Sequence, residues 1–587
     1  EYEKNHPARR ITSNNYKQAQ VPKGALVLDN HNGTAPGLIL EKNGKTAILL
    51  PGPPNELKPM FQESVFPYLR KKQPEIICSQ VVKICGIGES QVAADIQDMI
   101  EAQTNPTLAP YAKTGEVHLR ITAKGEDEKE CKKLIKPVVR ELKSRFGKNI
   151  FAYYNASEGH NDSSWGRLYG YIYPSFFLVE NSTEKKGVIY AMAQLTRVYG
   201  MQLLASLQGP IPYTQMKAGE TEAPYDNEQT VWHAMFDDLD NAITILKSAA
   251  TFGVNQDLAV VDQFYKGDCS KWLKFANTLK LRMAIRISGV EPEYAQTKAQ
   301  EAVLGGVMES VSDSSYDTTN GGINENGYAI VSGWPEVRAN ACLVSYMNGY
   351  NDPRRPAYFT PQTQTAAGGY VGVRSGSAEI PEPTVYANYS KLFIATDKTL
   401  PQPVMYAAEA AFLRAEGALK GWNMGGDAKT FYEKGVRLSF EEFGVSGADD
   451  YLADATSVPG NYVDNLIAGH TGNNYTNQSS ITIKWEDGAD DAKKLERVLT
   501  QKWIACYPDP MNGWADFRRT GYPRIFPATE SMNADCNTGR GQRRLRFTRS
   551  EYNNNKANVE AAVSMLSNGK DSNGTDLWWA MKENGTY

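Results

Sequence analysis

Hydrophobic and polar positions repeat with two different periods along this chain, and the change falls near residue 150. Before it, short apolar runs alternate with helical patterns. GKTAILL (44–50) predicts a buried strand. PGPPNEL (51–57) is a loop whose prolines and glycine fix the backbone before a helix starting near Glu56. SQVVKICGIG (79–88) predicts a strand, and ESQVAADIQDMIEAQ (89–103) an amphipathic helix with Ser90 as N-cap. GEVHLRITAKG (115–125) alternates as a half-exposed strand does, and EDEKECKKLIKPVVRELKSRFG (126–147) predicts a helix ending at Gly147. The β-α-β-α order of 79–147 implies a small two-layer α+β module.

After the change, the period is that of long helices. They are predicted over 187–207, 227–249, 269–288, 292–306, 404–421, 427–444 and 491–507. Ala408, Ala411, Ala415 and Ala418 fall three or four apart, a small-residue stripe that lets a neighbouring backbone approach. Such antiparallel helix pairs resemble tetratricopeptide hairpins, without the strict 34-residue repeat. Between them, residues 307–403 are rich in Gly, Ser, Asn, Thr and Tyr. A loop region that long inside a compact domain is usually functional.

Composition narrows the classes. At 587 residues the chain exceeds one hydrophobic core, and a net charge of −4 excludes the basic face of a nucleic-acid protein. No run of about 18 apolar residues predicts a membrane-spanning helix. Seven scattered cysteines show neither zinc-ligand spacing nor a readable disulfide framework. Tyrosine is the unusual entry, at 32, with 10 tryptophans. Most should be packing residues, but the surplus also suits binding of flat polar ligands such as sugars.

LPGPPNELKPMF (50–61), GIGESQVAADI (86–96) and PTLAPYAKTGEVHLRITAKG (106–125), in this order, resemble the CinA family. The resemblance implies a partial molybdopterin-binding-like α/β segment over 1–78 and a small α+β module over 79–151. It further implies metal-dependent cleavage of ADP-ribose-like pyrophosphates, with Gly52, Pro53, Pro54 and Glu56 at the ligand edge of the sheet. A Gly/Pro loop at a strand end can offer N–H groups to phosphate, and a nearby carboxylate can hold Mg²⁺. The family's Gly-rich substrate loop belongs upstream of residue 1, so this segment is expected to be inactive, with no cofactor beyond a divalent metal in an active form.

GPIPYTQ (209–215), APYDNEQTVW (223–232), GDCSKWLKFANTLKLRMAIRIS (267–288), YNDPRRPAYFTP (350–361), AAEAAFLRAEGALKGW (407–422), LTQKWIACYPDPMNGWADFRRTGYP (499–523) and RRLRFTRSEYNNNKANVEAA (543–562) resemble, in order, the SusD/RagB family. The resemblance covers 152–587. It implies a mainly α fold of tetratricopeptide-like hairpins with a loop-rich ligand face, glycan or other nutrient binding without catalysis, an outer-membrane location, and pairing with a SusC-type TonB-dependent transporter. The signal peptide, lipid-bearing cysteine and first helices of that family are expected upstream of what this chain carries. The seam at 149–155 is accordingly expected to join two unrelated proteins.

Sugar binding asks for exposed aromatic faces and polar groups around hydroxyls. The 307–403 segment supplies Tyr328, Trp334, Arg338, Asn340, Tyr350, Tyr370 and Arg374. Trp334, in SGWPE between turn formers, is the leading candidate. Other conspicuous motifs read as structural. Arg518 and Arg519 should pair with carboxylates and stack on Trp514 or Tyr522. DPRR (352–355) should be a turn, and WEDGADD (485–491) a solvated helix start rather than a calcium loop. No nucleophile elbow, phosphate loop or metal motif occurs in 152–587.

Overall fold

A computed structural model describes residues 17, 20–73, 75–85, 89–113, 116–146, 158–220, 222–318, 325–334, 337–363, 369–376, 383–392, 399–466, 471–529, 533, 535–536 and 539–580. The predicted seam at 149–155 and the glycines of 86–88 lie outside the described residues. The chain forms two compact units, 1–147 and 148–587.

The first unit has two separate cores. In one, β1 (Leu26–Leu28), β2 (Gly37–Lys42) and β3 (Lys45–Leu49) form an antiparallel meander. Asn43 and Gly44 turn β2 into β3 with φ of 53° and 76°, the positive values of a tight hairpin. The helix foreseen near Glu56 is α1 (Pro54–Met60), continuing through a wide turn into α2 (Phe66–Lys72). Leu28, Ile39, Met60 and Val65 close this small core.

The other core lies between a sheet of order β4-β6-β5 and its helices. Its elements are β4 (Ile76–Cys85), α3 (Glu89–Asp95), α4 (Gln97–Glu101), β5 (Thr107–Lys113), β6 (Glu116–Gly125) and α5 (Glu128–Phe146). The order is therefore β-α-α-β-β-α. Sequence periodicity passed over β5 because Pro110 interrupts its strand pattern; the strand survives at the edge of the sheet, where a missing N–H is tolerated. The helix predicted over 89–103 breaks at Ile96 (φ −118°, ψ 13°), whose side chain is fully buried.

The second unit stacks helices in chain order. α6 (Glu158–Ser182) packs on α7 (Gly187–Gln208), α7 on α8 (Glu228–Ala250), α8 on α9 (Cys269–Ile287), and α9 on α10 (Pro292–Gly305). After the loop-rich segment, which holds α11 (Gly327–Ser332) and α12 (Ala341–Gly349), α13 (Ala407–Leu419) packs on α14 (Ala428–Glu442) and α15 (Asp491–Ala505). α16 (Pro510–Thr520) follows against α15. The starts agree with the sequence because side-chain caps set them. Asn227 accepts from Thr230 N–H, Asp268 from Ser270 and Lys271, Asp427 from Thr430, and Asp490 from Lys493. Asp490 makes WEDGADD a helix start.

Two features exceed the sequence reading. α6 was not foreseen, since Gly166, Gly170 and Pro174 interrupt its helical signal. The alanine stripe of α13 is not one stripe: every residue from Ala407 to Gly417 is buried. Close contact comes from glycines as well. A Cβ on Gly200 of α7 would stand 2.3 Å from Ile172 Cδ1 of α6, and one on Gly435 of α14 would stand 2.7 Å from the Phe412 ring of α13.

Charged groups cross-brace these helices in the interior. Arg282 of α9 makes a two-point bond to Glu409 of α13, at 2.7 and 2.6 Å. Arg519 of α16 grips Glu416 of α13 at 2.6 and 2.9 Å and Asp516 at 3.0 Å, while Lys502 of α15 reaches Asp516 at 2.8 Å. Arg518 lies 3.5 Å from the Trp514 ring centroid and donates to the Ser206 and Arg543 carbonyls. Both arginines are thus structural, as their motif suggested, but only Arg519 pairs with carboxylates; Arg518 bonds backbone carbonyls instead. Burial works against ionised Asp516, but Lys502, Arg519 and Arg286 outweigh it and hold its pKa at about 2.

All ten tryptophans lie after residue 164, so their fluorescence follows the second unit alone. Arg519→Ala, which takes the two-point partner from buried Glu416 and one of two cations from Asp516, should cost about 3–5 kcal/mol in urea unfolding followed by that signal. Because Asp516 titrates below an ordinary aspartate, its share of stability is present above about pH 4 and lost as pH falls toward about 2. Asp516→Asn should flatten that acid limb, by about 2 kcal/mol.

Candidate functional site

The 307–403 segment is an excursion tied off at its base. Ser315–Asp317 pairs antiparallel with Gln402–Met405, bringing its two ends together. Just inside the tie, Asn326 caps α11 by accepting from the Tyr328 and Ala329 N–H groups. Its amide donates to the Leu400 and Pro401 carbonyls, and the Gln402 side chain accepts from Gly327 N–H. The short helix is thereby anchored at its start and projects its far end.

Trp334 sits at that far end. Its N–H donates to the Val331 carbonyl, which closes the helix, and its carbonyl accepts from Val337 N–H. The ring is 43% exposed, beside an exposed Val331. Among the described residues it is the only exposed tryptophan. Val337 is followed by Arg338, whose guanidinium donates to the Tyr386 carbonyl at 2.9 Å and lies 5.0 Å from that residue's ring centroid. Tyr386 was not singled out from sequence. Its spacing to Tyr389, whose ring lies 6.2 Å away and whose hydroxyl donates to Asp464, is the signal that could have marked it.

The remaining expected contacts are differently placed. Asn340 is exposed but occupied: it caps α12 through Cys342 N–H and donates to Ser375 Oγ at 3.0 Å. Tyr370 is half-buried beside Phe359, with the Arg355 guanidinium 5.8 Å from its ring. Tyr328 is half-buried on a small cavity shared with Tyr406, Glu409 and Asp509, and burial raises its hydroxyl pKa. Two expectations are corrected. Tyr350 is 2% exposed, its hydroxyl spent on the Ile481 carbonyl. Arg374 is 4% exposed and clamps the carbonyls of Asn473, Asn474 and Pro527. Neither side chain reaches a surface ligand. Both hold loops together, because a loop buried from below needs donors for its carbonyls.

DPRR is a buried ion pair as well as a turn. Arg354 and Asp352 meet at 2.6 Å, both fully enclosed, and Asn351 carries a φ of 48°. A separate groove of about 1070 Å³ runs along α6, floored by Trp165, Tyr169, Tyr173 and Phe177. The hydroxyls of Tyr169 and Tyr173 are both spent on the Pro212 carbonyl, and their rings stack on each other at 5.3 Å.

In the first unit, Gly52, Pro53 and Pro54 are exposed at the start of α1, with Pro53 as its N-cap. Glu56 accepts from the Asn30 amide at 2.6 Å and lies over Gly33, where a Cβ would come within 2.1 Å of it. Glu56 therefore braces the 30–33 loop. A divalent ion needs several oxygen ligands. One carboxylate facing an amide N–H does not supply them, and no group of three potential metal ligands occurs among the described residues.

With this geometry in view, the comparisons with known proteins divide between the two parts of the chain, their matches overlapping over residues 141–152. The family model described as "Susd and RagB outer membrane lipoprotein" matches residues 141–580. The chain belongs to the SusD/RagB family. A chitin-binding SusD homologue from Flavobacterium johnsoniae is 36% identical, with a TM-score of 0.70 over 74% of this chain and 90% of its own. A SusD homologue from Bacteroides uniformis is 38% identical, with a TM-score of 0.69 over 74% and 91%. Residues 79–152 match the KH domain of damage-inducible protein CinA. A competence-damage inducible protein of Clostridium beijerinckii is 58% identical over 144 residues. That match covers 24% of this chain and 35% of the relative, so the chain spans about a third of such proteins. The chain thus joins a CinA-like segment to a SusD-like one, and no described helix is long and apolar enough to cross a membrane.

Two substitutions separate surface from scaffold. Trp334→Ala should leave the urea midpoint within about 0.5 kcal/mol of the parent. Tyr350→Phe should cost about 1 kcal/mol, because it strands the Ile481 carbonyl.

Proposed function

We propose that residues 152–587 capture an oligosaccharide or similar nutrient at the outer membrane, without chemical change, and pass it to a SusC-type TonB-dependent transporter. The observation that carries this reading is the exposed Trp334 ring at the anchored end of α11. A ring held on a rigid base offers its flat face to the C–H face of a sugar at small entropic cost. Arg338 and Asn340 stand near it in sequence as hydroxyl partners, and the F. johnsoniae relative is a chitin binder. Tyr328 and Tyr370 serve as supports.

The second reading, a CinA-type pyrophosphatase in the first unit, has weaker support. Glu56 braces a loop through Asn30, and among the described residues no group of three potential metal ligands includes it.

Calorimetry with chitohexaose, maltoheptaose and a mannan-derived oligosaccharide tests the first reading. One of them should bind, and Trp334→Ala should weaken it at least tenfold, about 1.4 kcal/mol. Unchanged affinity in that variant would sink the assignment. ADP-ribose with Mg²⁺ should not turn over; turnover lost in Glu56→Gln would reverse the ranking.

A further inference from the structure

Cys78 and Cys131 are far apart in sequence but share one spot in the CinA-like module. Cys78 lies on β4 directly across from Ala123 of β6. Cys131, in the first turn of α5, places its Sγ 3.6 Å from the Ala123 carbonyl oxygen and 3.7 Å from that of Ile76. Its thiol is thus above the two strands at the level of Cys78. Both cysteines face the same core, with Ile84, Ile135 and their neighbours. Gly125 makes room for this arrangement, since a Cβ there would stand 3.1 Å from the Cys131 sulfur. Cys78 is half-exposed and Cys131 buried, so one sulfur is open to a reagent and the other waits beneath it.

We propose that Cys78 and Cys131 are a disulfide-forming pair that pins α5 to β4 whenever the chain meets an oxidising compartment. With a low-molecular-weight disulfide as oxidant, the Cys78 thiolate attacks one sulfur and forms a mixed disulfide. The expelled thiolate takes up a proton. Cys131, as thiolate, then attacks the Cys78 sulfur and expels the second thiol. Two protein thiols are oxidised and one small disulfide is reduced to two thiols. Partial desolvation, then the adjacent Cys131 thiol, raises the Cys78 thiol pKa, so closure is faster in alkaline buffer. The proposal is independent of sugar binding. It gives the module two states: open in a reducing cytoplasm, closed at a cell surface.

The test uses the folded full chain in oxidised glutathione, with free thiols blocked before trypsin digestion. The expected product joins the peptide at 73–83 to that at 130–132, with two fewer titratable thiols. Its melting transition should rise by more than about 5 °C. Cys78→Ser should abolish the linked peptide and the shift, while matching the reduced parent in circular dichroism. Thiols that stay free in the folded chain, a bond to Cys85 in place of Cys131, or closure only after unfolding in urea would each overturn the pairing.

Discussion

Buried charge is the constraint around which the SusD-like unit is arranged. Arg282, Arg519 and Lys502 each lie in the interior, and each is matched by a carboxylate from a different part of the chain: Glu409, Glu416 or Asp516. Desolvating such groups costs several kcal/mol apiece, which only near-complete pairing offsets. The lattice therefore adds little net stability over an apolar core of the same shape. Its effect is on which arrangement is tolerated. A helix shifted by one residue along its neighbour leaves a charge unmatched, and the penalty for that is steep. Arg518, which donates to the Ser206 and Arg543 carbonyls, and Arg543, which donates to the Arg518 carbonyl and pairs with Asp576 at 2.6 Å, extend the lattice to the C-terminal segment.

The irregular face depends on a related device. Loops packed on helices bury carbonyls that no ladder satisfies. Here tyrosine hydroxyls satisfy them: Tyr346 bonds the Arg524 carbonyl, Tyr350 that of Ile481, Tyr432 that of Ile483, and Tyr462 that of Gly372. This accounts for much of the tyrosine surplus. A phenol fills core volume as phenylalanine does and carries one donor to its far end, where a loop passes. The ring that stands free, Trp334, does so because the scaffold around it is tied elsewhere.

The two parts of the chain are physically self-sufficient in different ways. The CinA-like segment relies on two small cores and many exposed ion pairs, such as Lys72 with Glu41 and Lys124 with Glu75. Exposed pairs of this kind contribute little. The SusD-like unit relies on one extensive core and enclosed charge.

Periodicity, capping residues and motif order were enough to determine the long helices, the change of character near residue 150, the SusD/RagB membership and the CinA-like character of the first segment. Those signals are local: Asn227, Asp268, Asp427 and Asp490 set helix starts through atoms two or three residues away. They also sufficed for Arg518 and Arg519, because Trp514 and Asp516 lie on the same helix. The functional face was legible only as a region. Whether Tyr350 and Arg374 pointed to solvent or inward depended on carbonyls at 473–481 and 527, about a hundred residues and more away. Residue type does not encode that choice, since the same phenol or guanidinium serves a sugar hydroxyl or a buried carbonyl equally well. Only the folded arrangement of partners decides between them, and it left Trp334 outside and took the other two in.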